Sequence, residues 1–170
     1  MKRTIAIACG GDTSEFEVSL RSAQGIYSFI DKEKYTLYIV EMHGLDWHVQ
    51  LPDGTKAPVD RNDFSFRLGG EKVVFDFVYI TIHGTPGEDG RLQGYLDMLH
   101  IPYSCCGVLA AALTYDKFAC NQYLKAFGVR IADSLLLRQG QSVSDEDVIG
   151  KIGLPCFIKP SPVSYTHLRA

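Results

Sequence analysis

The hydrophobic positions near the amino terminus change from a continuous run to a helical spacing. Residues 4–8 are mostly apolar and lead into Gly10-Gly11, as expected for a buried strand followed by a turn. Apolar residues then recur at intervals of four and three, which places them on one helix face: Phe16, Leu20, Ala23, Tyr27 and Ile30. Ser14 and Glu17 have the spacing of a capping box. This order predicts the opening of a doubly wound α/β sheet.

The remaining pattern continues the alternation of strands and helices. We predict a strand at 35–42, then a hairpin-like excursion at 47–75 with two short strands around Gly69-Gly70, then a strand at 78–82. A helix through 92–99, a short strand at 100–105 and helices at 108–113 and 115–127 are expected next. The last predicted elements are a strand at 132–137, a helix at 142–151 and a strand at 154–160. Trp47 and Phe64 are expected to pack the excursion against the main sheet. Thr114 is expected to cap the helix that Gly128 ends. The fold class is therefore α/β, with a doubly wound, mostly parallel sheet.

The strand at 78–82 leads into a glycine-rich turn that carries polar side chains. His83 follows the strand directly, and Gly84, Gly87 and Gly90 allow sharp turns or a close approach to a ligand. Pockets in such sheets lie beyond the carboxyl ends of the strands. Glu88 lies just before the next helix, whose dipole favours negative charge there. The turn predicts the wall of a small polar site, although the glycines could equally serve the turn alone and the acidic residues could serve only as helix caps.

Glu15 lies at the corresponding edge of the first strand. In the first turn of the helix, its carboxylate could hold a cation such as an ammonium, or it could be a solvated residue that stabilises the helix dipole. The neighbouring Gly10-Gly11 is not a dinucleotide turn, because the G-x-G-x-x-G pattern is incomplete and Asp12 would repel a pyrophosphate.

Two lysines stand in unusual places. Lys117 is expected in the first turn of a helix, where a cation opposes the helix dipole, although a freely solvated lysine would also fit. Lys159 ends an apolar strand, and its burial would be costly unless it met an anion such as a triphosphate.

Composition narrows the classes of function. The 170 residues carry a net charge of −3, with 17 Lys and Arg against 20 Asp and Glu, and no basic run points to nucleic acid or an anionic membrane. The five cysteines form no C-x-x-C pair, which suits reduced thiols in a cytoplasm. No apolar stretch approaches the ~20 residues of a membrane helix, and the apolar run at the amino terminus is too short for a signal peptide. A soluble, cytoplasmic protein is expected.

Several motifs together resemble the D-alanine–D-alanine ligases. They occur in the family's order and spacing and cover about residues 4 to 160: Gly10-Gly11 with Glu15, Glu17, Val18, Ser19 and Leu20; His83-Gly84 with Gly87-Glu88-Asp89-Gly90 and Leu92-Gln93-Gly94; Ile101-Pro102-Tyr103; Asp116-Lys117; and Leu154-Pro155-Cys156-Phe157-Ile158-Lys159-Pro160. The resemblance implies an ATP-dependent ligase that phosphorylates one D-alanine and joins it to a second, for peptidoglycan. It also implies an amino-terminal Rossmann-like domain, a following ATP-grasp domain and a homodimer.

The resemblance also implies roles for individual residues. Glu15, His83 and Glu88 match catalytic positions, with Glu15 holding the ammonium of the first D-alanine and Glu88 orienting its neighbours. The implied substrate-binding set is Glu15, Val18, Ser19, His83 and Gly84. Lys117 and Lys159 match lysines that reach the phosphates of ATP. Mg²⁺ serves the family enzyme, but its ligands lie downstream of the matched region, so no metal ligand is expected in this chain.

The domain organisation expected from the resemblance is incomplete. Residues 1–110 would form the substrate-binding domain, 111–160 the truncated start of an ATP-grasp domain, and 161–170 a tail unlike the family, such as a cloning or assembly scar. The chain would then be an inactive amino-terminal fragment of the ligase. The alternative is a free-standing α/β module that binds a small amino acid or forms a dimer.

Overall fold

The computed structural model describes residues 2–159 and 161. The chain divides into two compact units, Met1–Ala112 and Leu113–Ala170. Among the described residues, no helix is both long and apolar enough to cross a bilayer.

The first unit contains a seven-stranded sheet and two complete helices. The elements in chain order are β1 (Arg3–Gly10), α1 (Phe16–Phe29), β2 (Tyr35–His43), β3 (Asp46–Gln50), β4 (Lys56–Asp60), β5 (Ser65–Leu68), β6 (Glu71–Val73), β7 (Phe77–Ile80) and α2 (Arg91–Met98). The helix α3 (Val108–Tyr115) begins in the first unit and ends in the second.

The strand order is β6-β5-β4-β3-β2-β1-β7. β1 pairs in parallel with β2 on one side and β7 on the other, with Ile7 opposite both Ile39 and Tyr79. Beyond β2 the strands continue as an antiparallel meander to β6. The meander corresponds to the excursion predicted for 47–75, whereas the parallel strands are those flanked by helices.

Alternate residues of the parallel strands face two different cores. Ile7, Cys9 and Ile39 pack with Ala23 of α1 on one face. Ala6, Ala8, Val40 and Val78 belong to a second cluster that includes Leu92 and Leu96 of α2 on the other face. Because helices cover both faces, the predicted doubly wound α/β class is confirmed.

Aromatic side chains attach the meander to this second core. Phe64 is fully buried, and Trp47 meets it edge-on with ring centroids 6.1 Å apart. Tyr95 of α2 contacts both rings, and its hydroxyl donates a hydrogen bond to the Arg61 carbonyl at 2.8 Å. The predicted packing role of Trp47 and Phe64 is confirmed.

The second unit contains the helices α4 (Lys117–Ala126) and α5 (Asp145–Lys151). Neither helix has a buried residue. The helix α4 ends at the predicted place, because Gly128 has a φ of +76° and donates its N–H to the Lys125 carbonyl.

Five local predictions are wrong. The N-cap of α1 is Glu15 rather than Ser14, and the Glu15 side chain makes no cap bond. Asp116 rather than Thr114 caps α4, accepting the Ala119 N–H at 3.0 Å. The described residues of the segments 132–137 and 154–160 form no strand, since a strand needs a paired neighbour and no described residue supplies one. The segment 100–105 contributes only a single parallel bridge, between Tyr103 and Val78.

Candidate functional site

The carboxyl ends of the neighbouring strands β1 and β7 meet at one edge of the sheet. The loop at residues 11–15 follows β1 and leads into α1, and the loop at residues 81–90 follows β7 and leads into α2. We call these the β1 loop and the β7 loop. A backbone hydrogen bond from Asp12 N to Thr85 O at 2.9 Å joins them, and another from Thr81 N to Ala8 O at 2.9 Å ties the β7 loop to β1. The predicted site residues of the first unit therefore lie on two adjoining loops or on the helix that follows.

Glycine allows the two loops to approach so closely. A Cβ atom at Gly11 would lie 2.6 Å from the Ile82 Cγ2, and one at Gly84 would lie 2.5 Å from the Thr13 Cγ2. Both glycines also have positive φ angles, +100° and +76°. Only glycine satisfies the space and the backbone conformation together.

Thr13 links the backbone at Glu15 to the backbone at His83. Its hydroxyl donates to the His83 carbonyl at 3.0 Å and accepts the Glu15 N–H at 3.3 Å. Glu15 and His83 are both half-buried. The structure thus brings these two residues, 68 positions apart in the sequence, to the same edge of the sheet.

Ser19 makes a second link one helical turn further on. Its side chain is fully buried, accepts the Gly10 N–H at 2.9 Å and donates to the Thr81 carbonyl at 2.8 Å. These bonds use its only donor and hold the ends of β1 and β7 together. Its neighbour Val18 is exposed.

Glu88 braces the turn that follows His83. Its Oε2 accepts the Gly84 N–H at 2.7 Å, and its own N–H donates to the Gly84 carbonyl at 2.8 Å. The bond occupies the Gly84 amide, so Gly84 contributes shape to the site rather than a free N–H. The orienting role that the resemblance implies for Glu88 stays a prediction.

Three further residues near the site, which are not among the predicted site residues, make hydrogen bonds that hold the loops. Asp89 accepts a hydrogen bond from the Thr85 hydroxyl at 2.7 Å and pairs with Arg91 at 3.2 Å. Asp12 accepts the Gly44 N–H at 2.6 Å, which ties the β1 loop to the end of β2. Gln93 is 1% exposed and donates to the Gly87 carbonyl at 2.6 Å.

The two candidate ATP lysines lie in the second unit. Lys117 is the first residue of α4, and its Nζ is 3.5 Å from the Ser161 carbonyl. Lys159 is exposed, with its Nζ 5.7 Å from the centre of the Phe157 ring. Hydrogen bonds from the Ala119 N–H and the Ser161 hydroxyl, with the charge of Lys117, lower the pKa of the Asp116 carboxyl. The resulting carboxylate offsets the unfavourable position of Lys117 near the helix dipole.

In the part of the chain that the structure describes, no group of three or more His, Cys, Asp or Glu residues could hold a metal ion. The described residues therefore do not fit a resident Mg²⁺.

Comparison with known proteins decides the family. A family model described as D-ala D-ala ligase N-terminus matches residues 4–106. The chain belongs to the D-alanine–D-alanine ligase family. The D-alanine–D-alanine ligase of Bacteroides thetaiotaomicron is 88% identical over 161 residues, which cover 95% of this chain and 50% of that protein. The chain spans about half the length of the curated relatives that it matches.

The chain shares its fold with solved structures of such ligases. The crystal structure of D-alanyl-alanine synthetase A from Vibrio cholerae is 32% identical, with a TM-score of 0.72 over 82% of this chain and 42% of that one. The D-alanine–D-alanine ligase of Bacillus anthracis, solved in complex with ATP, is 23% identical, with a TM-score of 0.65 over 87% of this chain and 44% of that one.

Proposed function

We propose that this chain forms the amino-terminal part of a D-alanine–D-alanine ligase and carries the site for the ammonium of the first D-alanine. In the complete enzyme, ATP would phosphorylate the carboxylate of that D-alanine, giving an acylphosphate and ADP. The amino group of a second D-alanine would then attack the acylphosphate and release phosphate. The 88% identity to a D-alanine–D-alanine ligase over half of its length supports this assignment.

The observation that carries the proposal is the junction of the β1 and β7 loops. The Thr13 hydroxyl donates a hydrogen bond to the His83 carbonyl and accepts one from the Glu15 N–H. A carboxylate at this place would attract an ammonium, and the edge beyond parallel strand ends is where small ligands bind in such sheets. Glu88 and Gly84 would fix the position of His83. Val18 would form the neighbouring wall, and the buried Ser19 would support it by holding Gly10 and Thr81 together.

The lysines of the second unit would serve ATP. Lys117 and Lys159 would place positive charge near the phosphates, where it offsets the negative charge of the transferring group. The carboxylates that bind Mg²⁺ in the family enzyme would come from the half of the relatives that this chain does not span. A homodimer and a cytoplasmic location remain predictions from the family resemblance.

Separate calorimetric titrations test the proposal. We expect D-alanine to bind to the purified chain at a single site, because the β1 and β7 loops belong to one compact unit. ATP is expected to bind more weakly or not at all, because α4 and α5 contain no buried residue. Tight ATP binding without D-alanine binding would contradict the assignment.

The chain alone is not expected to join D-alanine. ADP release would be followed with D-alanine, ATP and Mg²⁺ present, using the full-length Bacteroides thetaiotaomicron ligase as the positive control. ADP release that depends on D-alanine, from the pure chain, would show that the expected division of the active site between the two halves is wrong.

A further inference from the structure

The Thr13 side chain contacts both loops of the candidate site. Its hydroxyl bonds to the backbone of His83 in the β7 loop and of Glu15 in the β1 loop. Its carbonyl also accepts the Phe16 N–H at 3.2 Å, at the start of α1. Three bonds thus converge on one residue between the strand end and the helix.

The direction of the hydroxyl is set by its partners. A threonine hydroxyl has one proton to donate, and the His83 carbonyl takes it. The oxygen then accepts the Glu15 N–H, an amide at the helix start that has no partner within the helix. The same hydroxyl therefore satisfies one backbone group in each loop.

The methyl group of Thr13 adds a steric constraint. It lies so close to Gly84 that a Cβ there would be only 2.5 Å away. The hydroxyl and the methyl thus act on successive residues of the β7 loop, the hydroxyl on His83 and the methyl on Gly84. A serine would keep the first contact and a valine would keep the second.

We infer that Thr13 is a positioning residue of the D-alanine site: its hydroxyl sets the spacing between Glu15 and His83. This role rests on the proposed function of the two loops. Thr13 would not touch the substrate, but it would hold the ammonium-binding carboxylate and the imidazole at a fixed separation. Misplacement of binding groups by about 1 Å is enough to weaken recognition strongly.

The test compares three variants of the full chain. T13V removes the hydroxyl and keeps the methyl, whereas T13S keeps the hydroxyl and removes the methyl. T55V is the matched control, because Thr55 also uses its hydroxyl in one close bond, to Asp53 at 2.6 Å in the turn between β3 and β4. Each variant is titrated with D-alanine, and the hydrogen exchange of the Glu15 amide is followed by NMR. Thermal unfolding separates loss of fold from loss of binding.

We expect T13V to weaken D-alanine binding about tenfold and to speed exchange at the Glu15 amide by about the same factor, as loss of one or two hydrogen bonds would produce. T13S should restore both properties to within about twofold of the parent, and T55V should leave both unchanged. A purely structural role would instead lower the melting temperature of T13V while its folded fraction bound D-alanine normally.

The outcomes distinguish this role from the proposed function. If the parent binds D-alanine and T13V binds it equally well, the positioning role is overturned and the proposed function stands. If T13S is as weak as T13V, the methyl rather than the hydroxyl matters, and the role is again overturned. If the parent itself does not bind D-alanine, the proposed function fails and this role fails with it.

Discussion

The carboxylate of Glu41, on β2, is largely buried among polar side chains of the neighbouring strands. Its side chain is 15% exposed and accepts hydrogen bonds from Gln50 at 3.0 Å and Lys56 at 3.4 Å. The His48 Nε2 lies 3.3 Å away. Burial would raise the pKa of the Glu41 carboxyl, but the bond from Gln50 and the charges of His48 and Lys56 outweigh it and lower the pKa. The carboxylate therefore connects β2 to the first hairpin of the meander.

This pKa shift predicts a dependence of stability on pH. Because the folded-state pKa lies below the unfolded value of about 4.3, the carboxylate stabilises the fold above that value, and the contribution is lost as the pH falls through the folded-state pKa. We expect E41Q to lower the free energy of unfolding by about 1–2 kcal/mol at pH 7. The difference should shrink towards zero as the pH falls through the folded-state pKa of Glu41. Urea unfolding at several pH values measures the difference in free energy of unfolding between E41Q and the parent. E33Q is the control, because Glu33 is exposed. A difference that does not change with pH would contradict the lowered pKa of Glu41.

Cys9 illustrates the opposite effect of burial on a titrating group. It is fully buried in β1, and burial together with the negative charge of Glu41 raises the pKa of its thiol to about 12. Because the thiolate is the reactive form, Cys9 should resist alkylation at pH 8 in the folded chain. The exposed Cys106 should react under the same conditions. Peptide mapping after brief alkylation tests this, and labelling of Cys9 as fast as Cys106 would show that β1 is not packed as described.

At the scale of elements, the close approach of the β1 and β7 loops depends on glycine. G11A should destabilise the fold by about 2–4 kcal/mol, since it adds a clash with Ile82 to the strain of a positive φ. G54A is the matched control, because Gly54 also has a positive φ, +83°, but a Cβ there would meet nothing within 4 Å. G54A should therefore cost only about 1–2 kcal/mol. Equal losses in denaturant unfolding would mean that the loops do not require this close contact.

Local sequence patterns predicted the helices, strands and turns better than the contacts between the loops that connect them. The parallel strands and the glycine turn after β7 could be recognised because apolar periodicity and glycine act over a few residues. Thr13 could not be placed, because its partner His83 is 70 residues away and becomes a neighbour only when β7 pairs with β1. For the same reason the sequence predicts Ser14 as a helix cap, whereas the hydroxyl of the preceding Thr13 bonds to both loops.

At the scale of the whole molecule, the second unit shows where pattern alone misleads. The segments 132–137 and 154–160 have strand-like apolar sequences, but their described residues include exposed large side chains such as Leu137, Phe157 and Ile158. A strand forms only with a partner to complete its hydrogen bonds. Lys117 and Lys159 stand out in the sequence through their position at a helix start and at the end of an apolar run, and the resemblance assigns them to ATP. Their role with ATP stays a prediction.

The most direct test of the central claim is an NMR titration of the isotope-labelled chain with D-alanine. On addition of D-alanine, the amide chemical-shift changes should concentrate in the β1 loop and the β7 loop. In E15Q, which removes the carboxylate charge, binding should weaken about tenfold or more, because a charge-assisted contact is lost. E17Q is the control, since Glu17 lies in the same first turn of α1 but is exposed. Shifts that fall elsewhere, or that persist equally in E15Q and E17Q, would contradict the placement of the D-alanine site at Glu15.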